Sequence, residues 1–219
     1  MVPLPDQRRA LLRASIYQVR LFFTALQFFT RLPIPRWVGF EPDWLSHAAR
    51  YFPAVGLVIA ALSGAAYALA MAVWPQPIAV LLSTIVGIWL TGAFHEDGFA
   101  DMCDSFGGGL TKERVLDNMK DSRIGAYGTI GIGMVIGFKC TTLAVMPPQA
   151  VVMALLAAHP LSRYLATCLI WRLEYVKDEG RAKPVAHRLS NGEWAVGGLS
   201  RRCRRWQSGC SWTMPRGPD

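Results

Sequence analysis

PAVGLVIAALSGAAYALAMAVW, residues 53–74, runs for 22 positions without a charge. A helix needs about 20 apolar residues to cross the hydrocarbon core of a bilayer. This stretch therefore reads as a transmembrane helix and sets the class of the fold. Gly56, Ala60 and Gly64 recur at every fourth position. That spacing suits close helix–helix contact, although ordinary small-residue content explains it equally well. After the PQP turn at 75–77, IAVLLSTIVGIWLTGAF (78–94) returns as a second span. Residues 129–146 predict a third span, rich in glycine, with Lys139 inside it. After Pro147-Pro148, residues 150–171 predict a fourth, interrupted by His159-Pro160 and Arg163.

Composition agrees with a membrane class. The chain of 219 residues is 52% hydrophobic and only 17% charged, against about 25% charged in an ordinary soluble domain. No linker or internal repeat divides it, so residues 1–199 predict one membrane-embedded domain. Residues 1–13 are polar and basic and predict a mobile tail. ASIYQVRLFFTALQFFT (14–30) is short for a span and carries Arg20, so it predicts an interfacial or re-entrant helix, stopped by the prolines of RLPIPRW. The net charge of +8 does not form a basic patch interleaved with aromatics, so no nucleic-acid partner is expected. It lies beside apolar runs, where it points to membrane lipid and to topology. Five cysteines without a CxxC pair argue against a disulfide framework.

Orientation follows from Lys and Arg, which favour the cytoplasmic side. The turns at 75–77 and 147–149 carry none. The 95–128 segment carries Lys112, Arg114, Lys120 and Arg123, and Arg172 begins a second basic segment. Four spans then place the N-terminus, 95–128 and 172–189 in the cytoplasm.

Seven of the fifteen acidic residues lie between positions 96 and 121. In HEDGFADMCDSFGGG (95–109), Asp97, Asp101 and Asp104 are spaced i, i+4, i+7, one face of a helix. In LTKERVLDNMKDSRIGAYG (110–128), Glu113, Asp117 and Asp121 repeat the i, i+4 step. Like charges so spaced repel by a few tenths of a kcal/mol per pair, and a bound divalent cation would relieve them. A solvated acidic face is the plainer alternative. Hard oxygen ligands suit Mg²⁺ completed by water and substrate phosphates. Two such helices, reversed at Gly107–Gly109, would face each other across a diphosphate. Arg123, Lys120, Lys139 and Arg163 are candidate phosphate-binding cations, because a cation inside a span is a functional candidate by default. Gly125 and Gly128 would let backbone approach a ligand, and His95 could move a proton or contact phosphate.

These residues carry a resemblance. FFTRLPIPRW, YFPAVGLVIA, TGAFHEDGFADMCDSFGGG and MKDSRIGAYGTIGIG resemble the cobalamin synthase (adenosylcobinamide-GDP ribazoletransferase) family from about residue 20 to about residue 198. The most specific part is HxDGxADxxD followed by DSRxGxxG. The resemblance implies an inner-membrane, Mg²⁺-dependent enzyme of the last steps of cobalamin synthesis. Such an enzyme joins adenosylcobinamide-GDP to α-ribazole, or to its 5′-phosphate, and releases GMP. Carried over, Asp97, Asp101 and Asp104 would bind metal and donor diphosphate, Asp117 or Asp121 would complete the site and supply a base, and Arg123 would hold phosphate. The CDP-alcohol phosphotransferases share the two-helix carboxylate arrangement. Their signature is not met, because Ala100 is followed by Asp101 rather than arginine. A cation transporter is disfavoured, since the acids lie mostly outside the expected spans.

The expectation is thus an all-α, polytopic membrane bundle with a cytoplasmic acidic helical segment. The C-terminus departs from the family pattern. The family's further spans and GDTLGA-like segment are not met, and SRRCRRWQSGCSWTMPRGPD (200–219) is an abrupt basic tail that reads as truncated or frame-shifted, disordered, and a reason for an inactive chain.

Overall fold

The computed structural model describes residues 5–41, 43–121 and 123–172. The expectations for 173–219, including the basic tail, lie outside the described residues. Among the described residues every regular element is helical. In chain order these are α1 (Pro5–Phe29), α2 (Trp44–Ala48), α3 (Phe52–Met71), α4 (Gln76–Thr91), α5 (Phe94–Gly108), α6 (Lys112–Asn118), α7 (Ala126–Val145) and α8 (Pro148–Arg172).

Three stretches are long and apolar enough to cross a membrane: Trp44–Met71, Ala126–Val145 and Pro148–Arg172. The first is longer than the 53–74 expectation, because α2 and a short 3₁₀ turn run into α3. The second expected span, 78–94, is shorter than predicted. α4 holds 16 residues and stops at Thr91, and such a helix rises only about 24 Å against a core of about 30 Å. The chain then turns by 88° into α5. Gly92 (φ 64°) and Ala93 (φ 59°) both adopt the left-handed conformation that ends a helix. The Ala93 amide donates back to the Ile88 carbonyl at 2.9 Å. A left-handed alanine costs about 1 kcal/mol. Outside contacts support it: the Arg31 amide donates to the Leu90 carbonyl at 2.8 Å. The Arg31 guanidinium also lies so close to Gly92 that a Cβ there would stand 2.7 Å from Nε.

α1 begins at Pro5, well before the expected Ala14, so residues 5–13 are helical rather than a tail. Pro5 in the first turn and Asp6 beside it are helix-starting signals. Further along α1, Leu21, Ala25, Leu26 and Phe29 form a buried stripe at helical spacing. Ala25, Leu26 and Phe29 pack with Phe52, Val55 and Ile59 of α3 in the main core.

α3 packs most extensively on α8 and next on α4. The Gly56–Gly64 stripe makes the first of these contacts possible. A Cβ on Gly56 would stand 2.7 Å from both the His159 carbonyl oxygen and the Pro160 Cα. Pro160 lies within α8, and its ring displaces an i→i−4 hydrogen bond, so the glycine of α3 meets the helix where its backbone is irregular. On the α4 side, the Ser83 hydroxyl donates to the Ser63 carbonyl at 2.7 Å. At the far end, Gln76 Nε2 donates to the carbonyls of Leu143 (3.0 Å) and Met146 (2.7 Å), fastening the start of α4 to the α7–α8 turn.

Replacing Gly56 with Leu should therefore separate α3 from α8. Overpacking of this kind costs about 1–3 kcal/mol and should lower the unfolding midpoint of the detergent-solubilised protein. An unchanged midpoint would contradict this helix contact.

Candidate active site on the bent helix

α5 carries Asp97, Asp101 and Asp104 at the expected i, i+4, i+7 spacing. Its placement differs from the expectation of acids standing clear of the spans, because it lies lengthwise against α7, running the opposite way. Asp104 meets Gly125 and Gly128, Cys103 and Phe99 meet Gly131, and the start of α5 comes level with Lys139. Each contact needs glycine: a Cβ on Gly131 would stand 2.6 Å from Cys103 Sγ, and one on Gly128 would overlap the Asp104 carboxylate.

Asp104 is the clasp. Its Oδ2 accepts the Gly125 amide at 2.7 Å and its Oδ1 accepts the Gly128 amide at 2.8 Å. Gly125 is the N-cap of α7. The side chain of one helix thus caps another, satisfying amides that have no partner in their own helix and placing negative charge at the positive end of the dipole. The two glycines expected to receive a ligand phosphate receive this carboxylate instead. Asp104 keeps lone pairs for a further ligand, but both its oxygens are committed to backbone.

The second acidic row is broken. α6 holds Glu113 and Asp117 and ends at Asn118, so Asp121 lies beyond it. The Asp121 amide turns back to the Asn118 carbonyl at 3.1 Å. The reversal also falls later than Gly107-Gly108, which are still helical, with Gly109 extended. Gly107 serves packing: a Cβ there would stand 2.5 Å from the Tyr127 ring. Asp117 pairs loosely with Lys120 at 3.9 Å, both well exposed. Asp121 accepts the Arg123 amide (3.1 Å), Nε (3.0 Å) and Nη2 (2.8 Å). Hydrogen bonds from the Arg123 side chain, then its backbone, hold the Asp121 carboxyl down to about 2. The Arg123 side chain is otherwise 87% exposed, with donors free for a phosphate.

A second group gathers at the other end of α5. Arg163 is 4% exposed. Its Nη1 donates to the His159 carbonyl (3.0 Å) and to Ser162 Oγ (3.4 Å), and its guanidinium lies over the Phe29 ring at 5.7 Å. His95 stacks on the same ring at 5.6 Å. His159 lies within electrostatic reach of Arg163, Lys139 and His95, and Glu96 within reach of Arg163. Lys139 is about 20 Å along α7 from the Asp104 cap, by the rise of 1.5 Å per residue. The expected single site is therefore spread along α5: Asp104 stands at the α7 cap, Asp101 one turn before it, and His95, Glu96 and Asp97 in the first turn, the end that comes within reach of Arg163. The sequence reading assigned no role to Glu96 or His159. The signal for His159 was its i, i+4 step to Arg163 inside an apolar run.

Among the described residues no three His, Cys, Asp or Glu side chains converge as a metal cage. Mg²⁺ usually takes one or two carboxylates, with water and substrate phosphate completing the shell. Asp97 and Asp101, one turn apart on α5, can supply two. The donor set fits an ion brought in with a phosphate substrate.

Residues 21–201 match the family described as Cobalamin-5-phosphate synthase. The chain belongs to that family. A relative from Leptothrix cholodnii is 44% identical over 188 residues, covering 84% of this chain and 71% of its own length. One from Shewanella frigidimarina is 47% identical over 174 residues, covering 77% and 67%. One from Ralstonia pickettii is 45% identical over 178 residues, covering 79% and 70%. All three are named adenosylcobinamide-GDP ribazoletransferase. No solved structure matches this cobalamin-5-phosphate synthase family member.

Asp104→Asn should remove the charge that caps α7. The expected loss is about 1 kcal/mol of stability, with faster amide exchange at Gly125 and Gly128. Exchange unchanged from the parent protein would show that the clasp does not hold these amides.

Proposed function

We propose that the chain is an adenosylcobinamide-GDP ribazoletransferase, joining adenosylcobinamide-GDP to α-ribazole or its 5′-phosphate with release of GMP. Family membership and the relatives' names support the reaction. The observation that supports the site is α5, a helix of carboxylates that packs along α7 beside the α6–α7 loop, with Lys120 and Arg123 in that loop and Arg163 of α8 within reach of Glu96. A diphosphate substrate with a divalent cation needs both kinds of group.

In the reaction, a ribose hydroxyl of the acceptor attacks the phosphorus on the corrinoid side of the diphosphate. A new P–O bond forms, the bond to the bridging oxygen breaks, and GMP leaves with that electron pair. Bound Mg²⁺ would supply neutralisation of the diphosphate charge. Asp97 and Asp101 would hold the ion, and Arg123 and Lys120 would hold donor phosphate from the α6–α7 loop. Gly125 and Gly128 would shape this end of the site through Asp104. A base working near neutral pH is best matched to that pH. Asp121, held down to about 2 by Arg123, is a poor base and serves to orient that arginine. Asp117 then takes the hydroxyl proton, with His95 the second candidate. The enzyme would sit in the bacterial inner membrane with this site on the cytoplasmic side, as the distribution of Lys and Arg favours. The relatives' names offer no support to the CDP-alcohol class.

Purified protein given adenosylcobinamide-GDP and α-ribazole should release GMP only with Mg²⁺. Asp101→Asn should lower the rate at least about a hundredfold, the scale of losing a metal ligand. Full activity in that variant would remove the assigned site. CMP release from a CDP-alcohol donor, with no GMP from the corrinoid donor, would reassign the reaction.

The pH dependence tests the exclusion of Asp121 as the base. The Asp121 carboxyl is depressed below its unfolded value, so its ionised form persists as pH falls and is lost only near pH 2. Any acid limb that lies well above pH 2 should therefore remain in place in Asp121→Asn. Its disappearance there would make Asp121 the base.

A further inference from the structure

α5 has two unlike faces. Phe99, Cys103 and Asp104 turn toward α7, where they meet Gly131, Gly125 and Gly128. Phe94, Gly98, Met102 and Phe106 follow one another at every fourth position, and all four are exposed. At about 100° per residue such a row winds only slowly around the helix. Asp97 and Asp101 stand three residues after Phe94 and Gly98, about 60° to one side of the row. Asp97 is exposed and Asp101 half-buried. An apolar row and two carboxylates therefore share the side of α5 turned away from α7. Phe94 rests against Phe28 at 5.4 Å and Phe29 at 5.7 Å, which ties the head of the row to the core. Gly98 is open: a Cβ there would meet nothing within 4 Å, whereas those on Gly125, Gly128 and Gly131 would collide with α5. It leaves a notch between Phe94 and Met102.

Neither solvent suits this face. Hydrocarbon suits the apolar row but makes the carboxylates expensive. Water suits the carboxylates but leaves a contiguous apolar strip uncovered, the mark of a binding surface. The occupant that fits is amphiphilic. It has a broad apolar body to lie on Phe94, Met102 and Phe106, joined to an anionic group that reaches Asp97 and Asp101 through a cation. The donor of the proposed reaction is of that kind, a flat macrocycle carrying a nucleoside diphosphate. The acceptor is a small nucleoside, too short to cover a strip that rises about 18 Å from Phe94 to Phe106.

We propose that the exposed row of Phe94, Gly98, Met102 and Phe106 is the seat of the donor's macrocycle, one flat face of the ring lying over the notch at Gly98 and the diphosphate directed to Asp97 and Asp101. This deepens the transferase reading and rests on it for the identity of the macrocycle. The corrinoid half of the donor is then held in its own right, without nucleotide or metal.

Binding of adenosylcobinamide, the donor without its GDP, should be measured by calorimetry on the full chain in nanodiscs, with no Mg²⁺ present. The parent protein should bind it. Gly98→Leu fills the notch and Met102→Gln makes the row polar. Each should weaken that binding about tenfold, the order for one lost apolar contact. Each should raise KM for the donor by a similar factor and leave KM for the acceptor unchanged. The unfolding midpoint of Gly98→Leu should not fall, because nothing in the protein occupies that space. Absent binding of adenosylcobinamide, or binding by both variants equal to the parent's, overturns the seat. So does an equal rise in KM for donor and acceptor. A benzophenone side chain placed at position 102 that crosslinks acyl chains equally with and without saturating adenosylcobinamide would give the face to lipid and also overturn it. Absent GMP release with adenosylcobinamide bound and released by the variants would count against the transferase reading, not against the seat. GMP release with donor KM unchanged in both variants would count against the seat alone.

Discussion

The turn at Gly92–Ala93 is the constraint from which the rest of the architecture follows. A helix of 16 residues cannot cross a bilayer alone, and its exposed terminal carbonyls must find donors. The left-handed pair closes α4 on itself through the Ala93 amide, and Arg31 supplies an amide from outside the helix. Only with the chain turned here can α5 run back along α7. Without that direction Asp104 would not reach the start of α7, and His95 and Glu96 would not come level with Lys139. The backbone strain at Ala93 is small beside the contacts it makes possible.

The carboxylate row runs along α5 from the group around Arg163 to the cap of α7. Asp104 anchors the acidic end by capping α7. At the other end the Phe29 ring receives both Arg163 and His95, so an aromatic side chain of α1 sets two polar groups from two other helices. Phe29 packs edge-on against Phe52, at the head of α3, where Gly56 and Pro160 bring α3 and α8 together. The core that stabilises the bundle is also the platform on which the cations stand.

Much of this was legible in the chain itself. Long apolar windows located α3, α7 and α8, and the i, i+4, i+7 step put three aspartates on one face of α5. The stripe at Gly56 foretold a close contact without saying with what. Other features depend on register between distant segments, which no local pattern holds. The glycines at 107–109, 125 and 128 looked like hinges or phosphate contacts, yet Gly107 and Gly128 are small because Tyr127 and Asp104 occupy their space. Asp121 fitted the helical period of α6, but the helix ends first and its carboxylate is taken by Arg123. Glu96 and His159 gained meaning only when the fold brought both within electrostatic reach of Arg163. The start of α1 was misplaced because its arginines masked a proline and an aspartate suited to opening a helix.

Gln76, at the opposite end from the acids, has a mechanical consequence. One side-chain nitrogen ties the carbonyls of Leu143, in α7, and Met146, in the turn after it, to the start of α4, and the same short turn joins α7 to α8. That end is a fixed pivot. Any change in the angle between α7 and α8 must be a rotation about it, so displacement grows with distance along the helices. Arg163 is 15 residues into α8, roughly 22 Å from the pivot at 1.5 Å per residue. A tilt of about 5° there moves it by about 2 Å, a large part of the width of a phosphate group. The stretch of α8 that carries Arg163 is therefore the part whose position changes most with the angle between the two helices.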